Sequence, residues 1–139
     1  MTAKRILLCD DEIHIVRAAE FKFRHSGYDV RTASDGEVAW RMILQECPDL
    51  LITDCQMPRL DGLELCRRIR ERPETRNLPV IMLTAKGFEL AAEELAETLG
   101  ILAVVRKPFS PRAMLATAEE LLGAAGPSTE ACTPLSSGA

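Results

Sequence analysis

Segments that read as strands alternate with segments that read as helices along this chain, and that alternation narrows the possible folds more than any single residue does. Ile6-Leu7-Leu8-Cys9 is a short apolar run that stops at Asp10-Asp11. A helical segment follows over about residues 12 to 26, with Ile15, Ala18, Ala19 and Phe23 spaced to share one face and Gly27 closing it. Tyr28 to Ala33 reads as a strand, and Asp35-Gly36 as a turn. A second helix carrying Ala39, Met42 and Ile43 then runs to about Glu46, with Pro48 stopping it. Leu50-Leu51-Ile52-Thr53-Asp54 is too short for a lone helix and reads as a buried strand. The loop Pro58-Arg59-Leu60-Asp61-Gly62 leads into a third helix, which turns Leu65, Cys66 and Ile69 inward and ends at about Arg72, before Pro73. Pro79 opens the strand Val80 to Thr84. A fourth helix is expected over about 87 to 98, with Ala91, Leu95 and Leu99 on one stripe and Gly100 at its end. Ile101 to Val105 is the last strand, and Ser110-Pro111 starts a fifth helix that ends near Gly123.

Strict alternation of this kind means a parallel sheet with helices on both faces. Right-handed crossovers leave few topologies. At 139 residues the expected one is a doubly wound, five-stranded α/β fold of flavodoxin-like order 2-1-3-4-5 with five helices. One domain is expected over residues 1–123. Residues 124–139 are small and polar, with Leu135 the one large apolar side chain, and read as a flexible tail. A net charge of −4 gives no basic footprint for nucleic acid. No apolar run is long enough for membrane insertion or for a signal-peptide core. Five cysteines, an odd number without a Cys-x-x-Cys pair, suit neither a disulfide framework nor a zinc site. Reduced thiols and a cytoplasmic location are expected.

In such a sheet, ligands bind beyond the carboxyl ends of the strands. Four of those ends carry Asp10-Asp11, Asp54, Thr84 and Lys107. Each has an ordinary explanation taken alone: acids favour a helix start, Asp starts turns, Thr suits strands, and Lys is commonly a solvated surface residue. Together they place three carboxylates, a hydroxyl and an ammonium in one crevice. Crowded carboxylates repel unless a cation relieves them. A hard divalent ion such as magnesium suits such oxygen ligands, with manganese as a substitute. One carboxylate is then available as a nucleophile in phosphoryl transfer. A cis bond between Lys107 and Pro108 would aim the ammonium.

Asp10-Asp11, Asp54 with Met57-Pro58, Thr84-Ala85 and Lys107-Pro108-Phe109 resemble the receiver domain of bacterial two-component response regulators, of the single-domain type. The resemblance covers residues 4 to about 123. It implies phosphorylation of Asp54 by a sensor histidine kinase or a histidine phosphotransfer protein. It implies magnesium held by Asp11, Asp54 and the backbone carbonyl of Gln56, with Asp10 acting through water. It implies that Thr84 and Lys107 grip the phosphoryl group and that signalling proceeds by contact with a downstream protein. In many relatives the residue three before the lysine is a switching aromatic; here it is Val104. Gln56 and Lys86 occupy positions that tune phosphoryl lifetime in the family.

Two alternatives belong to other classes. A hydrolase working through an aspartyl intermediate usually carries Asp-x-Asp after its first strand, where this chain has Asp10-Asp11. A flavin module would need a phosphate-cradling loop there, and acids would repel its phosphate. A third possibility is the receiver end of a longer regulator. Glu89, Glu93 and Glu97 read as a solvated face, as do Arg67, Arg68, Arg70 and Arg72, which are interleaved with Glu64 and Glu71. His14 and His25 have no metal-spaced partner, and Trp40 offers no stacking platform. Because the tail cannot offset its ordering entropy, a chain truncated after Gly123 is expected to melt at an unchanged temperature, as read by circular dichroism, and to accept phosphate normally.

Overall fold

Residues 4–57, 59–84, 97, 99–106 and 110–124 are described by a computed structural model. Its strands are β1 (Arg5–Cys9), β2 (Asp29–Ala33), β3 (Leu50–Asp54), β4 (Val80–Thr84) and β5 (Ala103–Arg106). They pair in parallel in the order β2-β1-β3-β4-β5. Among the described residues the helices are α1 (Ile13–His25), α2 (Gly36–Gln45), α3 (Gly62–Glu71) and α4 (Pro111–Ala124).

The alternation of side chains along each strand feeds two cores. Ile6, Leu8, Leu50, Ile52, Ile81 and Leu83 pack with Ala19 and Phe23 of α1 and Met114, Ala118 and Leu122 of α4. Leu7, Cys9, Leu51, Val80 and Met82 face the other way, against Ala39 and Ile43 of α2 and Leu65, Cys66 and Ile69 of α3. Every residue of β3 and β4 is buried, as expected of central strands covered on both sides. Helix starts follow their caps. Asp35 accepts from the Val38 amide, Asp61 from Glu64 and the Ser110 hydroxyl from Ala113.

Several expectations need correction. Asp35-Gly36 is no separate turn: Asp35 caps α2 directly and Gly36 is its first residue. On α1 the buried face is Val16, Ala19 and Phe23, while Ala18 is exposed. The last strand starts at Ala103 rather than Ile101: Gly100 has φ +68°, Ile101 is buried in the core, and pairing with β4 opens with the Leu102 amide donating to the Val80 carbonyl at 2.9 Å. The expected fourth helix lies mostly outside the described residues, as do Glu89, Glu93 and the tail from 125 onward, although Glu97 and Leu99 are helical. Among the described residues Cys9, Cys55 and Cys66 are free and buried.

The basic stripe of α3 divides. Arg67 pairs with Glu64, Arg68 with Glu37 and Arg72 with Glu74, all at the surface. Arg70 instead turns inward. Its Nε donates to the Leu99 carbonyl at 2.6 Å, Nη1 to those of Arg76 and Leu78 at 2.8 Å, and Nη2 to Gly100 at 3.2 Å. One guanidinium thus fastens α3 to the segments that lead into β4 and β5. Arg70→Met strands several of these acceptors and is expected to cost about 2–4 kcal/mol in urea unfolding, whereas Arg67→Met is expected to change stability by less than about 0.5 kcal/mol.

Candidate functional site

Sheet register carries the polar strand ends to one level. Cys9 stands beside Thr53, so Asp10 follows at the height of Asp54. Asp54 stands beside Leu83, and Thr84 follows at the height of Arg106. The ladder continues past the strands, with the Cys55 amide donating to the Leu83 carbonyl at 2.8 Å and the Asp10 amide to Ala33 at 3.2 Å.

Asp10 and Asp54 are buried, Asp11 is exposed, and one carboxylate oxygen from each lies within 4.8 Å of the other two. Oxygens bound at about 2.1 Å to an octahedral magnesium stand about 3–4 Å apart, so the three carboxylates fit a hard cation with little movement. Asp10 also serves the helix start, since its Oδ1 accepts the Glu12 amide at 2.9 Å. Gln56 is exposed two residues beyond Asp54, with its amide 3.5 Å from Asp54 Oδ1. Thr84 is fully buried at the end of β4. Val104 is half-buried on β5 beside Met82 and packs on the α2–α3 core. Lys107 and Pro108 lie outside the described residues, as does Pro58. The structure therefore gathers Asp10, Asp11, Asp54 and Thr84 at one edge.

Backbone packing fixes this edge. A Cβ on Gly62 would run into the carbonyl oxygen of Asp54, and the Gly62 amide donates to the Cys55 carbonyl at 2.9 Å. A Cβ on Gly36 would meet the Leu60 carbonyl in the same way. Both helix starts thus press against the β3–α3 loop without side chains between. The Thr53 hydroxyl donates to the Asp54 carbonyl at 3.0 Å. Beneath the carboxylates the Cys9 thiol is pushed up to about 12, first by burial and then by the charges of Asp10, Asp35 and Asp54, against a lowering hydrogen bond with Thr53. Burial likewise drives Cys66 to about 12 and raises Cys55. These thiols stay protonated near neutral pH and offer no competing nucleophile. A cavity of about 300 Å³ bordered by Arg5, Arg31, Met42 and Glu46 lies at the opposite, amino-terminal edge of the sheet.

Three contributors escaped the sequence reading: Gly62, Gly36 and Asp35. The signal for the last was present, since Asp-Gly immediately before an apolar helical period is also an N-cap pattern.

A parallel five-stranded sheet with an acidic cluster at its carboxyl edge agrees with the family assignment. Residues 6–119 match the family model of the response regulator receiver domain, and the chain belongs to that family. The chain is 42% identical over 119 residues to the alkaline phosphatase synthesis transcriptional regulatory protein PhoP of Bacillus subtilis (strain 168), covering 86% of this chain and 48% of that protein. It spans about half the length of that curated relative. The chemotaxis response regulator CheY4 of Vibrio cholerae superposes with a TM-score of 0.79 at 27% identity, over 86% of this chain and 99% of that one. NtrX from Brucella abortus superposes at 0.78 with 31% identity, over 88% of this chain and 27% of that one.

The Gly62–Asp54 approach gives a direct test. Gly62→Ala is expected to destabilise the fold by about 2 kcal/mol or more, because the obstacle is backbone that cannot swing aside. Urea denaturation of the variant against wild type measures it.

Proposed function

We propose that this chain is a phosphorylation-activated switch of a two-component phosphorelay, with Asp54 as phosphoacceptor. The observation that carries the reading is the convergence of Asp10, Asp11 and Asp54 on one point at the carboxyl edge. The donor is a sensor histidine kinase or a histidine phosphotransfer protein. An Asp54 oxygen attacks phosphorus, a P–O bond forms, and the P–N bond to the donor histidine breaks, leaving the electron pair on the imidazole. Asp11, Asp54 and the Gln56 carbonyl would hold magnesium, or manganese in its place, with Asp10 acting through water, and the ion would supply positive charge to the carboxylates and the phosphoryl oxygens. Thr84 donates its hydroxyl to a phosphoryl oxygen, and Lys107 supplies an ammonium, aimed by a cis bond to Pro108. Buried positioning at Asp54 and Thr84 limits the reorganisation that transfer requires.

The chain turns over no external substrate in this reading; it catalyses its own phosphorylation and dephosphorylation. The new charge and acceptor oxygens draw Thr84 inward. Val104 is short and stiff at χ1, so the signal passes chiefly through the segment after Thr84 to a downstream protein. Direct nucleic-acid binding and membrane insertion play no part, and the reaction is cytoplasmic. Among the described residues no helix is long and apolar enough to cross a membrane. The switch domain spans residues 1–123 in this reading. A second reading, the receiver end of a longer regulator, is favoured by coverage of 48% of the PhoP relative and 27% of NtrX.

Incubation with acetyl phosphate and magnesium is expected to give one acid-stable, base-labile adduct by mass spectrometry. Asp54→Asn is expected to abolish it, and an adduct that survives this substitution rules out Asp54 as the acceptor. Chelation of the metal is expected to suppress labelling of the wild type.

A further inference from the structure

Arg59 has a left-handed backbone, φ 71°, which is disfavoured for any residue with a Cβ and persists only where its surroundings hold it. Three contacts hold it. The Arg59 Nε lies 3.4 Å from Asp35 Oδ2, with the carboxylate side chain only 12% exposed and the arginine 72% exposed. The other oxygen of Asp35 is already tied, accepting the Val38 amide at 2.9 Å at the start of α2. The next residue, Leu60, is buried, and its carbonyl occupies the space that Gly36 leaves open. The β3–α3 loop is therefore closed at its base by the Gly62 amide on the Cys55 carbonyl and fastened at its tip to the β2–α2 turn.

We infer that the Arg59–Asp35 pair is a positioning device that holds the loop from Gln56 to Gly62 in register with the carboxylate cluster and thereby sets the affinity of that cluster for a divalent cation. The inference rests on the proposed function for the role of the Gln56 carbonyl, but the clamp itself does not depend on it. Charge and geometry push in opposite directions here. Asp35 lies close to the cluster, its carbonyl accepting from the thiol of Cys9, the neighbour of Asp10, at 3.5 Å. Removing the nearby positive charge of Arg59 would by electrostatics alone draw a cation in more tightly. Releasing the loop would weaken cation binding, because a ligand on it is no longer held in place.

The sign of the effect decides. In Arg59→Gln, the magnesium dissociation constant measured by calorimetry is expected to rise about two- to fivefold, the range of a partly exposed ion pair. In metal-free buffer, amide hydrogen exchange at Gln56 and at Leu60 to Gly62 is expected to quicken. Arg59→Lys, which keeps the charge and can still reach Asp35, is expected to restore most of both. In Asp35→Asn, whose side chain still caps Val38, adding Arg59→Gln is expected to change neither readout further. Tighter magnesium binding in Arg59→Gln overturns the positioning role in favour of plain charge. Unchanged loop exchange overturns the clamp. A wild type that binds no magnesium overturns the metal assignment and the affinity claim, while the metal-free exchange result still decides the clamp.

Discussion

A parallel sheet covered on both faces has no place for a polar side chain except at its edges. The buried polar residues of this chain follow that constraint closely. Asp10, Asp35, Thr53, Asp54, Thr75 and Thr84 are the buried polar or charged side chains among the described residues. All but Thr75 lie at, or within two residues of, the carboxyl end of a strand. Thr75 is satisfied locally, donating to the Ile69 carbonyl at 2.7 Å. Polar chemistry has thus been concentrated on one side of the molecule by the same burial that stabilises the fold. The crossovers leave the ends of β1, β3 and β4 adjacent there.

Concentrating carboxylates costs stability, and the close-packed backbone around them leaves that cost unrelieved. Gly36 and Gly62 let two helix starts press directly on the loop that follows β3. Asp35 and Asp61 satisfy the first amides of the same two helices. Neither glycine faces a positive φ; what each supplies is the absence of a Cβ where main chains meet. A loop so closely packed has little freedom to spread when like charges push on its ends. The repulsion is therefore available to attract a cation instead of being relaxed by movement.

How much of this was legible in the sequence depends on how local each signal is. Alternation and handedness, which are properties of the whole chain, left few topologies, and the common one at this size, 2-1-3-4-5, is the order in the structure. Leu65, Cys66 and Ile69 were placed on the buried face of their helix because a period of 3.6 needs no tertiary information. On α1, Ala19 and Phe23 were placed on the buried face, while Ala18 is exposed and the buried Val16 was passed over, since Ile15 and Ala18 satisfy the helical spacing as well as Val16 does. Arg70 was read as solvated because its neighbours Arg67, Arg68 and Arg72 are. Four backbone carbonyls, from residues six to thirty positions away, make it different, and no spacing rule announces a cluster of carbonyls. Asp10, Asp11, Asp54 and Thr84 were legible because polar residues ending apolar strands are conspicuous. Asp35 and Arg59 were not, because their meeting requires two loops to be adjacent across the sheet edge.

Placement also separates the three carboxylates by role. Asp11 is exposed and free to follow a cation. Asp10 is buried but committed on one oxygen to the Glu12 amide at 2.9 Å, a bond that fixes it as part of the α1 start. The Gln56 amide lies 3.5 Å from Asp54 Oδ1, the limit of a hydrogen bond. Asp54 ends the central strand, so Asp10 stands level with it on the β1 side and Thr84 one step beyond it on the β4 side. Of the three carboxylates Asp54 alone ends a strand lying between those two neighbours, the position that the proposed phosphoacceptor role calls for. The asymmetry follows from strand order: in a 2-1-3-4-5 sheet the third strand lies between the first and the fourth, so its terminal carboxylate is the one set in the middle of the site.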